Sequence, residues 1–328
     1  MALATDALVK KAITQTSNMT SIIPQLWAAQ LEKNLRIGAI LQQSIVENTD
    51  LLAPNSGDTV YIPTLPDFGT GAGGAPTTAA ALTEGTDIVD IVMDNASSVA
   101  YTPTEYGMGV GVSRKMLDRI KYDGVAAVVD RLGYAMSRTI ETQIAALYNK
   151  DVPGTTNKLG VQYVASADTG GTVATNTTIT AADVFNDEII LRGVMTLQQL
   201  NNVPFPDGNF MCFISPKQYK DLMLDSNVRT DLHFGSPQKV FKGEIGVLHN
   251  CRIIVTNSIV TDTENTSVTV YNALMVAPRW AAVAWKRRPQ VVVDPTLYDY
   301  GRRRRFGVFA DFDIELLHYD RGVVLKSA

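Results

Sequence analysis

Between Val125 and Asn149 the apolar residues Val125, Val128, Val129, Leu132, Met136, Ile140, Ile144 and Leu147 recur at steps of three and four. That spacing lays them along one side of an α-helix. At 1.5 Å per residue the segment is a rod of roughly 37 Å, and the rest of the chain has to supply the surface that covers its stripe. Ser113 is a candidate cap for SRKMLDRI just before it, and Asp123-Gly124 interrupts the two. The tail carries an equally regular signal of the other period. Phe306, Val308, Ala310, Phe312, Ile314 and Leu316 share one face of an extended strand, with Arg303, Arg305, Asp311, Asp313 and Glu315 on the other. The run GRRRRF therefore leads into, or lies within, a long amphipathic strand and is not a basic tail.

The remaining segments suggest a mixed architecture. From Pro24 to Glu47, Leu26, Trp27, Leu31, Leu35, Ile37, Ile40, Leu41 and Ile45 predict one amphipathic helix, or two short ones broken near Gly38. Trp27 is either a core residue or one that docks on another subunit. GDTVYIP and TDIVDIVMD alternate like strands around the Gly/Ala/Thr/Pro-rich DFGTGAGGAPTTAAALTEG, which predicts a long two-stranded excursion over residues 55–105. Such a ribbon buries no core of its own and has to lie against something else. Residues 150–180 read as loop. Thr180 is expected to cap a helix through about Asn201, NFMCFIS reads as a buried strand, and Ser215-Pro216 opens the short helix PKQYKDLML. CRIIVTN and SVTVYNALMVA read as strands. APRWAAVAWKRRPQVVVDP is ambiguous, with strand favoured for its second half.

Composition narrows the function classes. A chain of 328 residues, 45% hydrophobic and 19% charged, suffices for two or three modules with cores and is too apolar for disorder. A net charge of -4 and a pI near 5.5 argue against a general nucleic-acid binder. Cys212 and Cys251 lie in apolar runs and read as buried thiols of a reducing compartment. The N-terminal stretch lacks the apolar core of a signal peptide, and no run approaches the roughly 18 apolar residues of a membrane span; a soluble, cytosolic protein with no membrane partner is expected. GTGAGG at 69–74 has the form G-x-G-x-x-G. It follows Pro63 and Pro66 and no amphipathic helix comes after it, so a flexible loop is the better reading than a dinucleotide site. His233, His249 and His318 have no metal-ligand spacing, and no nucleophile elbow is present. No catalytic, cofactor or metal residue is assigned, and an enzyme is not expected.

Charge is segregated along the chain. From Ile37 to Ser113 there is no lysine or arginine, while the same stretch holds Glu47, Asp50, Asp58, Asp67, Glu84, Asp87, Asp90, Asp94 and Glu105. Lys286 to Arg305 holds Lys286, Arg287, Arg288 and Arg302, Arg303, Arg304 and Arg305 against Asp294 and Asp299. Opposite signs on separate segments fix partner choice and register even where each exposed pair is worth only about 0.2–1 kcal/mol. They suit head-to-tail contacts between identical subunits.

The order of parts resembles the major capsid proteins of tailed bacteriophages: an N-terminal arm, the ribbon GDTVYIP…LTEGTDI, then EYGMGVGVSRKML running into a long helix ending SRTIETQIAALYNK. PKQYKDLM, KGEIGVLHNCRIIVTN and the terminal FGVFADFDIELLHYDRGVVL continue the match. The resemblance implies an α+β Hong Kong 97-type capsid fold. Residues 1–54 would be the N-terminal arm, 55–105 the extended E-loop, 106–180 the P domain with its spine helix, 181–289 the A domain and 290–328 strands returning to the P domain. It implies pentamers and hexamers of an icosahedral shell around double-stranded DNA, assembled in the host bacterial cytoplasm with a portal. A decoration or cement protein is a further partner class. Since the ribbon begins near residue 55, any scaffolding protein is expected to be separate. The E-loop has no lysine, so the covalent cross-linking of some members lacks its nucleophile and non-covalent joints are expected. The expected interface residues are Trp27, Asp67, Glu84, Asp87, Asp90 and Arg302 to Arg305, with packaged DNA the second choice for the arginines. The competing readings are an encapsulin-like compartment shell and, from another class, a nucleic-acid-binding protein using Arg302–Arg305.

Overall fold

The computed structural model describes residues 40–52, 57–64, 97–115, 124–153, 156–164, 179–226, 228, 246–262, 267–294, 300 and 302–328. Along the chain the strands and helices are β1 (Val46–Asn48), β2 (Val60–Thr64), β3 (Ser97–Tyr101), β4 (Thr104–Ser113), α1 (Gly124–Ala146), β5 (Gly160–Tyr163), α2 (Asp187–Gln199), β6 (Phe210–Ile214), α3 (Pro216–Leu224), β7 (Val247–Leu248), β8 (Cys251–Val255), β9 (Thr261–Asp262), β10 (Val270–Val276), β11 (Ala281–Val293), β12 (Arg303–Leu316) and β13 (Gly322–Ser327).

The long helix and the tail strand form one unit. β11 and β12 are a long antiparallel pair at the centre of a four-stranded sheet ordered β1-β11-β12-β4. Leu132, Met136, Ile140 and Ile144 of α1 are buried in one cluster with Val283, Trp285, Phe306, Val308, Phe312 and Ile314. The 3.6-residue stripe thus covers the inward face of a period-2 strand. On the opposite face, Gly107 and Gly307 flank the Phe309 ring: a Cβ at either would come within 2.8 or 2.9 Å of a ring carbon. These glycines let the ring lie flat across β12 and β4.

The second sheet has seven strands, in the order β5-β13-β10-β6-β8-β7 with β9 also on β10. Its central strand β6 is buried at every position, which explains the unbroken apolar run FMCFI. α2 packs Ile189, Ile190, Val194 and Leu197 on one face with Phe185, Cys212, Met275 and Leu325. Met211, Phe213, Leu274, Val276 and Val324 point the other way and join the cluster containing α1. Cys212 and Cys251 are free and buried.

Several expectations differ from the structure. Residues 41–47 are not helical: Leu41–Ser44 is a 3-10 turn and Val46–Asn48 a strand parallel to β11. The cap of α2 is Asn186, whose side chain accepts from Ile189 N–H; Thr180 instead donates to Asp183 in a preceding turn. Residues 150–180 contain β5, a short strand parallel to β13. The strand partner of β2 is Ser97–Tyr101, while TDIVDIVMD and Pro24–Ala39 lie outside the described residues. The ambiguous segment is strand throughout Ala281–Val293, so residue 289 falls inside β11. The last two strands separate, β12 joining the four-stranded sheet and β13 the seven-stranded one.

Candidate assembly surface

The ribbon root is tied to β12 and β11 by polar contacts. The Thr102 N–H donates to Asp313 Oδ2 at 2.8 Å, and Tyr101 is fully buried beside it. Burial, with Glu315 and Asp313 nearby, pushes the Tyr101 phenol well above its ordinary range. The Glu315 carboxyl is likewise raised by burial, although Lys150 Nζ at 2.5 Å pulls it down.

The basic run 286–288 meets acids within the same subunit. Lys286 pairs with Asp58 at the foot of β2 and holds its carboxyl below the usual carboxylate range. Arg287 lies between Asp311 at 3.7 Å and Glu105 at 3.9 Å, and Arg288 Nη2 meets Glu47 Oε2 at 2.9 Å. Register shifts between Trp285 and Gln290 re-aim these consecutive side chains away from simple alternation. The opposite-sign segments read from the sequence as partners between subunits are, in this half, partners within one.

The arginine run is placed differently. β12 begins at Arg303, opposite Ser113, with Arg304 opposite Val112 and Arg305 opposite Gly111; Arg114 N–H donates to Arg302 O at 2.8 Å. Arg114 and Lys115 therefore join Arg302–Arg305 at one exposed end of the sheet. Among the described residues, Arg114, Lys115, Arg302, Arg303 and Arg304 make no ion pair. Sequence reading missed Arg114 and Lys115, whose place depends on the β4–β12 register. Trp27, Asp67, Glu84, Asp87 and Asp90 lie outside the described residues.

The 3-10 turn Leu41–Ser44 is pinned from two sides. Glu141 of α1 accepts the Leu41 N–H at 2.7 Å, and Trp280 Nε1 donates to Ser44 O at 3.1 Å and Ser44 Oγ at 3.2 Å. Among the described residues no group of three or more His, Cys, Asp or Glu side chains is placed to hold a metal, and no helix is long and apolar enough to cross a membrane. His249 Nε2 lies 2.6 Å from Asp187 Oδ1, tying the β7–β8 turn to the first turn of α2.

A family profile described as phage capsid protein matches residues 95–324, more than half of the chain. The chain belongs to the phage capsid protein family. Solved structures place this capsid protein in the same fold. The capsid of cyanophage Pam1 is 15% identical with a TM-score of 0.71, covering 96% of this chain and 99% of that one. The capsid of cyanophage P-SCSP1u is 14% identical with a TM-score of 0.68, over 96% and 95% of the two chains. The capsid of Ralstonia phage GP4 is 16% identical with a TM-score of 0.67, over 93% and 95%. No curated protein matches it. The capsid protein has the α+β Hong Kong 97-type fold of tailed-phage major capsid proteins.

Proposed function

We propose that this capsid protein assembles, as pentamers and hexamers, into an icosahedral shell enclosing the double-stranded DNA of a tailed phage. Its role is structural rather than catalytic. The shell forms in the bacterial cytoplasm on a scaffold, carries a portal, offers its outer surface to any decoration protein, and is joined non-covalently. The observation that carries the assembly mode is the division of the basic segment. Lys286, Arg287 and Arg288 meet Asp58, Glu105, Asp311 and Glu47 within the subunit. Arg302, Arg303 and Arg304 stand exposed with no such partner among the described residues. On this reading Arg302–Arg305 meet acids of a neighbour, with Asp67, Glu84, Asp87 and Asp90 the candidates, and Trp27 docks on an adjoining subunit.

The test is charge reversal at Arg303→Glu and Arg305→Glu, with shells scored by sedimentation and electron microscopy in the absence of DNA. Loss of shells with subunit folding retained is the expected result. Normal shells that fail only to retain the genome would place the arginines on DNA instead.

A further inference from the structure

β4 forms one edge of the four-stranded sheet, and among the described residues only β12 pairs with it. The register between them runs unbroken from Thr104 to Ser113, and the N–H of the next residue, Arg114, donates to Arg302 O. Backbone bonding alternates along an antiparallel pair, so Arg114 and every second residue before it turn their backbone groups to β12. The N–H and C=O groups of Glu105, Gly107, Gly109 and Gly111 therefore point out of the edge. Such an edge is a template for another strand, and lysine, proline or a bulge usually blunts it. TEYGMGVGVS has neither residue, its pairing with β12 has no bulge, and it is exposed except at Tyr106 and Val112.

Side chains and charge indicate what fits this edge. Met108 and Val110, two positions apart on one face of β4, are large apolar residues 51% and 38% exposed. Glu105 stands at the start of the strand, its side chain 64% exposed and 3.9 Å from Arg287. Arg114 and Lys115 stand just past the other end, both exposed. A second β4 laid alongside in the opposite direction brings each acidic end to a basic end. The same direction would set like charges together at both ends, which is destabilising. Centred on Gly109, the antiparallel register also sets Met108 opposite the partner's Val110, and Val110 opposite the partner's Met108.

We propose that β4 docks against β4 of a second copy of this chain, paired antiparallel about a twofold axis at Gly109. The two four-stranded sheets then continue into one. The Gly109 N–H and C=O groups of the two copies bond to each other, and Glu105 stands beside the partner's Arg114 and the partner's Lys115. Charge and apolar matching select a copy of this strand over an unrelated extended peptide. This pairing stands apart from the contact assigned to Arg302–Arg305, and it holds whichever surface those arginines meet.

The test mixes two variants of the full chain, Met108→Cys and Val110→Cys, since the native Cys212 and Cys251 are buried. Residues directly opposite in a non-hydrogen-bonded pair have Cα atoms about 4.5 Å apart, within disulfide reach. Under mild oxidation the mixture should form a disulfide between the two kinds of chain, mapped by peptide mass. It should form at least about tenfold faster than in either variant alone, where the cysteines are diagonal neighbours about 7–8 Å apart. No mixed disulfide, or one no faster than in the single variants, would overturn the proposal. The readout is taken on whatever assembly the chain forms, so it is independent of whether that assembly is a closed shell. Should a cysteine variant not fold, charge at the axis decides. A Cβ at Gly109 would have Phe306 O as its nearest neighbour at 3.7 Å, an ordinary contact. Gly109→Lys and Gly109→Glu should each lower assembly about tenfold by setting like charges opposite each other, and an equimolar mixture should restore it. Full assembly of either variant alone, or no rescue in the mixture, would overturn the proposal.

Discussion

Lys326 on β13 and Asp262 on β9 form an ion pair at 2.9 Å whose side chains are only 8% and 9% exposed. The ammonium also lies 5.9 Å from the ring centres of Tyr148, just beyond α1, and Tyr163 on β5. One side chain thus links three strands of the seven-stranded sheet to the end of the long helix. An exposed pair would contribute about 0.2–1 kcal/mol. Burial changes the sum: removing one partner strands the other charge in a poorly solvated site, at about 3–5 kcal/mol. Lys326→Met should therefore lower the folded-to-unfolded ratio of the free subunit by roughly two to three and a half decades, at about 1.4 kcal/mol per decade. Urea unfolding of the unassembled subunit reads this through Trp280 and Trp285, both buried in the native state. The double change Lys326→Met with Asp262→Leu removes both charges together and should recover most of the loss. A loss below about 1 kcal/mol for Lys326→Met, or a double variant as unstable as the single, would refute the claim that the pair is a desolvated tie.

Three further outcomes follow from the same structure. Burial raises the Glu141 carboxyl above its ordinary value, against the pull of the Leu41 and Ile40 N–H groups, Ser258 and the Gln42 N–H. Stability from this group is therefore full below the ordinary glutamate range and is lost as pH rises through the raised value. Glu141→Gln should flatten the pH dependence of the urea midpoint as pH rises above the ordinary glutamate range, and an unchanged profile would count against it. Ser215 caps α3 in a reciprocal box with Gln218, so Ser215→Ala should destabilise the subunit by about 1 kcal/mol in urea titration. A cost near zero would show the box to be idle. Intact particles boiled in detergent should run as the 35.6 kDa chain on denaturing gels; a high-mass ladder would contradict non-covalent joints.

The parts legible in the sequence were those where one period ran uninterrupted. Leu132, Met136, Ile140 and Ile144 reach the core as their spacing predicts, as do Phe306, Val308, Ala310, Phe312, Ile314 and Leu316. What failed depended on partners distant in the chain. The residues around Leu41 carry helical spacing, but Glu141 and Trp280 hold them in a tight turn, and Val46–Asn48 is drawn into register with Ala282–Ala284 of β11. β5 is too short to alternate visibly and exists through its pairing with β13. For the assembly surface, charge segregation was visible but its division was not. The bulges in β11 decide that Lys286–Arg288 turn to acids of their own subunit, and the β4–β12 register brings Arg114 and Lys115 to the arginines.

The most direct test of the central claim is cryo-electron microscopy of the particles formed by this chain inside its host cell. The account predicts closed icosahedral shells built of pentamers and hexamers, one vertex occupied by a portal, the interior filled with double-stranded DNA, and Arg302–Arg305 against a neighbouring subunit. Discrete small oligomers, or closed shells holding protein cargo and no portal, would contradict it.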